Sequence, residues 1–261
     1  MKSLHLDNNK VTDKGYGFLI DSLKAISQHI VVKLKKYSTD FGQKIIKPAL
    51  KDFIKYKDNS IINSFLEKDV KQFKHELSQY DKEAYNIFGN NEQQDAHEAL
   101  LKIIDIFDIL TEKKFMPKYF GGKIENIVQC KTCNYYNITY SPFIDLYVSS
   151  FENILKQKTE ILNDALCEEC KSPSLYRIED ITKYPKILIC VTHVKNIKIP
   201  IKFKNYYFIS CINHYGSTYG GHYDLITCRD FKWFKIDGEN YQQINFPQNF
   251  TNARVIFFIR S

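Results

Sequence analysis

The texture of this chain changes once, at Gly121-Gly122, and that single change limits the folds open to it. Before it, apolar residues recur at helical spacing. Phe18, Leu19, Leu23 and Ile26 trace one face together with Ser22, and further amphipathic runs cover 43–56 and 61–80. The clearest helix is NEQQDAHEALLKIIDIFDIL, with Asn91 as its cap; Ala96, Leu100, Ile103, Ile104 and Phe107 form its stripe before Pro117 closes the region. After the glycines, short β-branched and aromatic runs alternate with turn residues: NITYSPFIDLYV, KILICVTHV, YYFISCI, HYDLITC, KWFKI and RVIFFIR. Such runs predict antiparallel strands. Helices first and strands afterwards make an α+β protein. No internal repeat, Gly/Ser linker or low-complexity tract divides it, so two lobes of one domain are expected over 1–261.

Hydrophobic residues at 44% and aromatics at 15% supply a sizeable core and exclude a disordered chain. The opening MKSLHLDNNK has no apolar h-region, and no run approaches the roughly 18 apolar residues of a membrane helix. The expectation is therefore a protein without membrane partners, in cytoplasm or nucleus. A formal charge of +7 suits nucleic acid or anionic surfaces. The lysines are spread, however, and runs such as Lys33, Lys35, Lys36 and Lys195, Lys198, Lys202, Lys204 read as solvated faces.

Four of the seven cysteines form two Cys-x-x-Cys pairs, Cys130/Cys133 and Cys167/Cys170. An odd total with this spacing suits metal binding in a reducing compartment better than a disulfide framework. Each tight turn can present two thiolates, and four thiolates at about 2.3 Å close a tetrahedral zinc site with no open position. The zinc is expected to be structural. A zinc ribbon that binds nucleic acid would share the pattern, but Phe143, Leu146, Tyr147, Phe151, Ile154 and Leu155 fill the gap between the pairs with β segment rather than a small basic knuckle.

A second constellation lies in HYGSTYGGHYDLI. Gly220-Gly221 delivers His222 at the start of an apolar strand, and glycine there lets a substrate backbone approach closely. Fifteen positions on, the strand Lys232–Ile236 ends in Asp237-Gly238. If the two strands pair antiparallel, the Asp237 carboxylate falls beside the imidazole and can fix its tautomer and stabilise its charged form.

Four segments in order carry a resemblance. Gln93-Gln94-Asp95-Ala96-His97-Glu98 resembles the Gln box of the ubiquitin-specific proteases. Tyr184-Pro185-Lys186-Ile187-Leu188-Ile189, followed by Thr192-His193-Val194-Lys195, resembles their "LPKVLILHLKRF" strand. Asn213-His214-Tyr215-Gly216 through Gly220-Gly221-His222-Tyr223 resembles their His box, and Trp233-Phe234-Lys235-Ile236-Asp237 their final Trp-Tyr-x-Phe-Asp segment. The family consists of papain-like thiol hydrolases that cleave after the C-terminal glycine of ubiquitin. The resemblance implies a thumb, palm and fingers architecture: a helical thumb over 1–120, mainly zinc-bearing fingers over 121–185, and mainly β palm over 186–261 with His222 and Asp237. It also implies that Gln94, Asp95, His214, Gly221 and Tyr223 line the channel for the ubiquitin tail, with Asp95 accepting hydrogen bonds from an arginine-rich tail.

The family's first motif reads approximately Gly-Asn-Thr-Cys-Tyr-Met-Asn-Ser-x-Leu-Gln. Its best match here is Lys14-Gly15-Tyr16-Gly17-Phe18-Leu19-Ile20-Asp21-Ser22-Leu23-Lys24, which puts Gly17 at the nucleophile position and Thr12 where an oxyanion-holding Asn is expected. Whatever the register, no cysteine precedes Cys130. Cys228 lies six residues beyond His222, about 20 Å along a strand, Cys190 and Cys211 belong to other β segments, and Ser22 is more than a helical turn past the nucleophile position. Without a thiolate, acyl transfer loses its covalent route. The expected function is a catalytically dead, ubiquitin-specific-protease-like domain that binds ubiquitin, a ubiquitin-like modifier or another protein. An active deubiquitinase whose cysteine was replaced at Gly17, and a zinc-stabilised nucleic-acid binder, are the alternatives. The segment from Lys195 to Tyr206 is short for the family, which implies a trimmed palm.

Overall fold

In a computed structural model, residues 55–67, 70–89, 95–152, 154–217, 220–229, 232–237 and 240–260 are described. Gly17, Thr12, Asn91 and Gln94 lie outside the described residues, as do the helical runs expected before residue 55. The run expected over 61–80 is a pair of helices, α1 (Ser60–Glu67) and α2 (Val70–Ser78). A short α3 (Lys82–Ala84) passes into a π-helical turn, Tyr85–Gly89, and is followed by α4 (Ala96–Leu110) and α5 (Phe115–Tyr119).

Asx side chains start three of these helices by accepting otherwise unpaired backbone N–H groups. Asn59 Oδ1 accepts from Ile61 and Ile62 N–H, Asp81 Oδ1 from Ala84 N–H, and Asp95 Oδ1 from His97 N–H at 2.8 Å and Glu98 N–H at 3.2 Å. The cap of α4 is thus Asp95, a correction to the Asn91 expected from sequence. Either residue type can cap. Asp95 has extended backbone (φ −70°, ψ 127°), so the helix cannot run back through it to Asn91. Lys102 locks α4 to the preceding turn: its buried ammonium meets Asp81 Oδ2 at 2.9 Å and Glu83 Oε2 at 2.5 Å.

The strands form three sheets. A four-stranded antiparallel sheet has the order β2-β1-β5-β4, from β1 (Gly122–Cys130), β2 (Tyr136–Phe143), β4 (Lys158–Leu162) and β5 (Leu175–Lys183). The Phe143 ring packs onto Gly122 at its start, where a Cβ would lie 2.2 Å from the ring and would force it to shift. A larger sheet has the order β12-β11-β10-β9-β14-β6-β3, with β8 (Lys202–Phe203) also on β9. Its strands are β3 (Asp145–Tyr147), β6 (Ile187–Val191), β9 (Tyr206–Ser217), β10 (Gly220–Arg229), β11 (Lys232–Asp237), β12 (Asn240–Ile244) and β14 (Ala253–Arg260). The third sheet pairs β7 (Asn196–Ile197) with β13 (Phe250–Thr251). One pair departs from the expected antiparallel pattern: β3 runs parallel to β6, with Asp145 opposite Ile189. Between them the chain makes β4 and β5 in the other sheet, and so long an excursion can return in the same direction where a hairpin cannot.

The large sheet is covered on both faces, which explains why β6 and most of β14 are buried at successive residues. Ile187, Ile189, Val191, Val255 and Phe257 pack with the helices around Leu100, Ile103 and Phe107, while Leu188, Cys190, Ile256 and Phe258 pack on the other side with Phe151, Leu155 and Phe208. The second cluster is floored by the segments around 148–155 and 197–199; some of its aromatic rings meet edge to face, as Phe203 and Phe258 do at 4.6 Å, and others stack, as Phe208 and Trp233 do at 5.2 Å.

Candidate active site and metal centre

β9 and β10 form a hairpin in which His222 pairs with Tyr215 and Tyr223 with His214. β10 and β11 pair antiparallel, Leu225 opposite Ile236, as the sequence predicts. This register brings the first residues of β10 to the end of β11, and His222 Nε2 meets Asp237 Oδ1 at 2.9 Å. With Nε2–H donated to the carboxylate, Nδ1 is the nitrogen left for proton transfer. Both side chains are a little under half exposed.

Gly221 is a packing requirement here. A Cβ at this position would lie 2.4 Å from the Tyr215 carbonyl oxygen and 2.5 Å from His214 Nε2. The His214 ring in turn lies against Tyr223, with centroids 4.4 Å apart. Burial, helped by the nearby Arg254, holds the His214 pKa below its ordinary value, against an opposing pull from Asp95. Tyr223 is pushed up to about 12 by burial, with Asp95 adding to the shift and the Ala96 N–H working against it. Asp95, His214, Gly221 and Tyr223 thus gather where the start of α4 meets the β9–β10 hairpin. Asp95 Oδ2 also lies 3.6 Å from Arg254 of β14.

Two groups of residues at this site escaped the sequence reading. Asp224 is only 1% exposed and accepts from Asn213 Nδ2 at 2.6 Å, while Lys235 Nζ lies 2.9 Å from its other oxygen. Burial, then the charge of Asp224 and a hydrogen bond to it, raises the Tyr215 phenol well above its usual range. The signal was present: an acid within the apolar run HYDLITC, on a strand with neighbours on both sides, needs partners. The second group joins α4 to β3. His97 Nε2 contacts Asp145 Oδ2 at 2.7 Å, Tyr147 packs edge-on to His97 and stacks on His193, and His193 Nδ1 contacts Arg254.

All seven cysteines are accounted for. Cys190, Cys211 and Cys228 are buried in the palm strands, and burial raises the thiols of Cys190 and Cys211 well above the ordinary range. Cys211 pairs with Ile226, four positions along from the Tyr215–His222 pair, so about 13 Å separates it from His222.

The remaining four gather at one end of the small sheet, with all four sulfurs within 4.8 Å of one another. Cys130–Cys170 and Cys133–Cys167 are each 3.6 Å apart. Sulfurs about 2.3 Å from a shared ion stand roughly 3.8 Å apart at tetrahedral geometry, so the donor set fits zinc. The two turns have the same frame. Asn134 N–H bonds to the Cys130 carbonyl and Lys171 N–H to that of Cys167, and both residues are left-handed, at φ 59° and 58°. Cys130 N–H bonds to Tyr135 O and Cys167 N–H to Ser172 O. Backbone hydrogen bonding from Cys133, with a further bond from Thr132, lowers the Cys130 thiol to about 6 against the cost of its burial.

The small sheet carries one more feature that sequence did not single out. Its register aligns Tyr136, Gln129, Tyr176 and Ile161 in one row and Ile138, Ile127 and Ile178 in the next. Tyr136, Ile138, Tyr140 and Ile161 are 61%, 41%, 52% and 65% exposed, an apolar strip on the open face of the sheet, with Lys123 Nζ 3.8 Å over the Tyr140 ring.

A papain-like α+β framework, a His–Asp pair on the strands of its palm and a four-cysteine centre on a separate sheet define a class. A profile of the ubiquitin carboxyl-terminal hydrolase family matches residues 3–258, and the chain belongs to that family. It is 25% identical to ubiquitin carboxyl-terminal hydrolase 36 of Drosophila sechellia over 207 residues, 64% of this chain but only 19% of the relative's length. The SAGA Ubp8/Sgf11/Sus1/Sgf73 DUB module bound to ubiquitin aldehyde contains a chain that superposes with a TM-score of 0.67 at 19% identity, covering 97% of this chain and 68% of that one. The same module bound to monoubiquitin gives 0.65 at 20% identity, with the same coverage. These structures share the fold.

Proposed function

We propose that this domain binds ubiquitin without cleaving it, a deubiquitinase framework that has lost its nucleophile. The observation that carries the reading is the pairing of His222 with Asp237 at 2.9 Å in a chain whose first cysteine is Cys130. The general base is oriented, and every thiol in the sequence is committed to the metal centre or to the palm strands. Water attack assisted by His222 is the route left. It lacks the covalent step that splits a difficult acyl transfer into two easier ones.

Recognition has separate support. Asp95, His214, Gly221 and Tyr223 gather beside His222, where the missing side chain of Gly221 leaves room for the His214 ring to pack against the hairpin backbone. The exposed strip of Tyr136, Ile138, Tyr140 and Ile161 suits the apolar surface of a folded modifier, with the four-cysteine centre holding that sheet in shape. A metal bound by Cys130, Cys133, Cys167 and Cys170 would supply rigidity and no chemistry, since all four ligand positions belong to the protein. The two SAGA modules were solved with ubiquitin aldehyde and with monoubiquitin. That favours ubiquitin over other modifiers as the first ligand to test.

The experiment is restoration of the thiol. Gly17→Cys is expected to give measurable cleavage of a ubiquitin C-terminal fluorogenic reporter where the parent chain gives none, and the additional change His222→Ala should abolish it. Cleavage by the parent chain at the rate of the Gly17→Cys variant would overturn the reading.

A further inference from the structure

At the far end of α4 from the His box, a cleft of about 490 Å³ opens between the helix terminus, α5 and the chain leading into α1. With a rise of 1.5 Å per residue over 15 residues, about 22 Å of helix separates it from Asp95. Its rim is cationic. Lys55, Lys113, Lys114 and Lys118 line it, all exposed, and none of the lining residues among those described is acidic. Lys183 reaches the same place, bonding to the Pro117 carbonyl at 3.1 Å, and Lys186 lies 5.7 Å over the Tyr119 ring. The adjacent acid, Glu112, is held by Lys114 at 2.5 Å. The floor is apolar, built on Phe115 and Tyr119, which are 9% and 6% exposed.

Lysines near a helix C-terminus complement its dipole, and that alone could place Lys113 and Lys114. It extends to Lys118, in the last turn of α5, but does not account for Lys55, Lys183 and Lys186, which lie in no helix. Lysine is a flexible point charge and fixes no bidentate geometry, so the rim attracts negative charge without the rigid fork or nest of backbone N–H groups that a phosphate pocket uses. The aromatic floor lies edge-packed and buried, Phe115 against Phe107 and Phe120, so it offers no free ring face for stacking a base. An apolar hollow ringed by exposed lysines fits a short acidic segment of a partner protein with one hydrophobic anchor.

We infer that the cleft bounded by Lys55, Lys113, Lys114 and Lys118 is a docking site for an acidic peptide carrying a single aromatic or aliphatic anchor, separate from the modifier-binding surface. The test is fluorescence anisotropy on the full chain with three labelled probes: an Asp/Glu peptide of about ten residues with a central Phe, the same peptide with Ala in place of Phe, and an oligothymidine of similar charge. The Phe peptide should bind at least tenfold tighter than the Ala peptide and tighter than the oligothymidine. The double variant Lys113→Glu/Lys118→Glu should weaken it at least tenfold, with an unchanged thermal midpoint and unchanged ubiquitin binding. If charge reversal alters the thermal midpoint, Lys113→Gln/Lys118→Gln should still weaken binding at least threefold. Equal affinity for the Phe and Ala peptides, tighter binding of the oligothymidine, or insensitivity to both double variants overturns the inference.

Discussion

Asp224 offers the most direct way to measure how strongly the palm supports its His–Asp pair. The carboxylate is 1% exposed and accepts from Asn213 at 2.6 Å, from Lys235 at 2.9 Å and from the Tyr215 hydroxyl. Asp224→Ala removes an acceptor from two buried or half-buried donors, each charge-assisted bond contributing about 1.5–3 kcal/mol. Lys235 is 40% exposed and can rehydrate, so its share is on the order of 0–1 kcal/mol. Relief of the carboxylate's own desolvation offsets part of the total, and the net loss expected is about 3 kcal/mol. For a chain of this size that lowers the thermal midpoint by about 6–12 °C. Urea titration at pH 7 should show a lower midpoint with unchanged slope, because the same surface unfolds. Asp224→Asn, which keeps the shape and one acceptor oxygen, should lose about half as much. A change below about 0.5 kcal/mol in the alanine variant would show that these groups are solvated rather than networked, and the assigned partners would be wrong.

The remaining expectations concern other parts of the framework. Gly221→Ala should destabilise by about 1–3 kcal/mol through overpacking against His214 and the Tyr215 carbonyl, and in the Gly17→Cys background it should also lower reporter cleavage; unfolding curves and initial rates check both. Removing metal with a chelator should release about one zinc per chain, read by elemental analysis. It should unfold the small sheet, because the buried cluster of Cys130, Cys167 and Leu175 at its end is built around the metal ligands. His214 has a folded pKa below the unfolded value of 6.5, so the unfolded chain binds more protons; its contribution to stability is present above about pH 6.5 and lost as pH falls through that value toward the folded pKa. His214→Gln should therefore flatten the slope of stability against pH below about pH 6.5. Ser210 and Thr227 face each other across β9 and β10 with hydroxyls that find no partner among the described residues, so Thr227→Val should stabilise by about 1 kcal/mol in denaturant titration.

Much of this was legible because the signals were local. The two Cys-x-x-Cys turns, the strand ending at Asp237 and the glycine pair before His222 each dictate a conformation from neighbouring residues alone. What was not legible depends on distant parts of the chain. Asp95 rather than Asn91 begins α4, and Asp95 also lies close to Arg254, more than 150 positions away. β3 is parallel because of where the chain goes afterwards. The partners of Asp224 and the salt bridges of buried Lys102 join residues across hairpins and helices. The alternation in YNITYSPF reads correctly as a strand, yet only the sheet shows that its apolar face is left open.

The central claim is that the framework still holds ubiquitin after losing its nucleophile, and a calorimetric titration of the parent chain with ubiquitin tests it most directly. The account predicts saturable 1:1 binding, weakened at least tenfold by Ile138→Asp on the exposed strip. Absence of heat and of any saturation with ubiquitin in large excess, from a chain shown to be folded and metal-loaded, would contradict it.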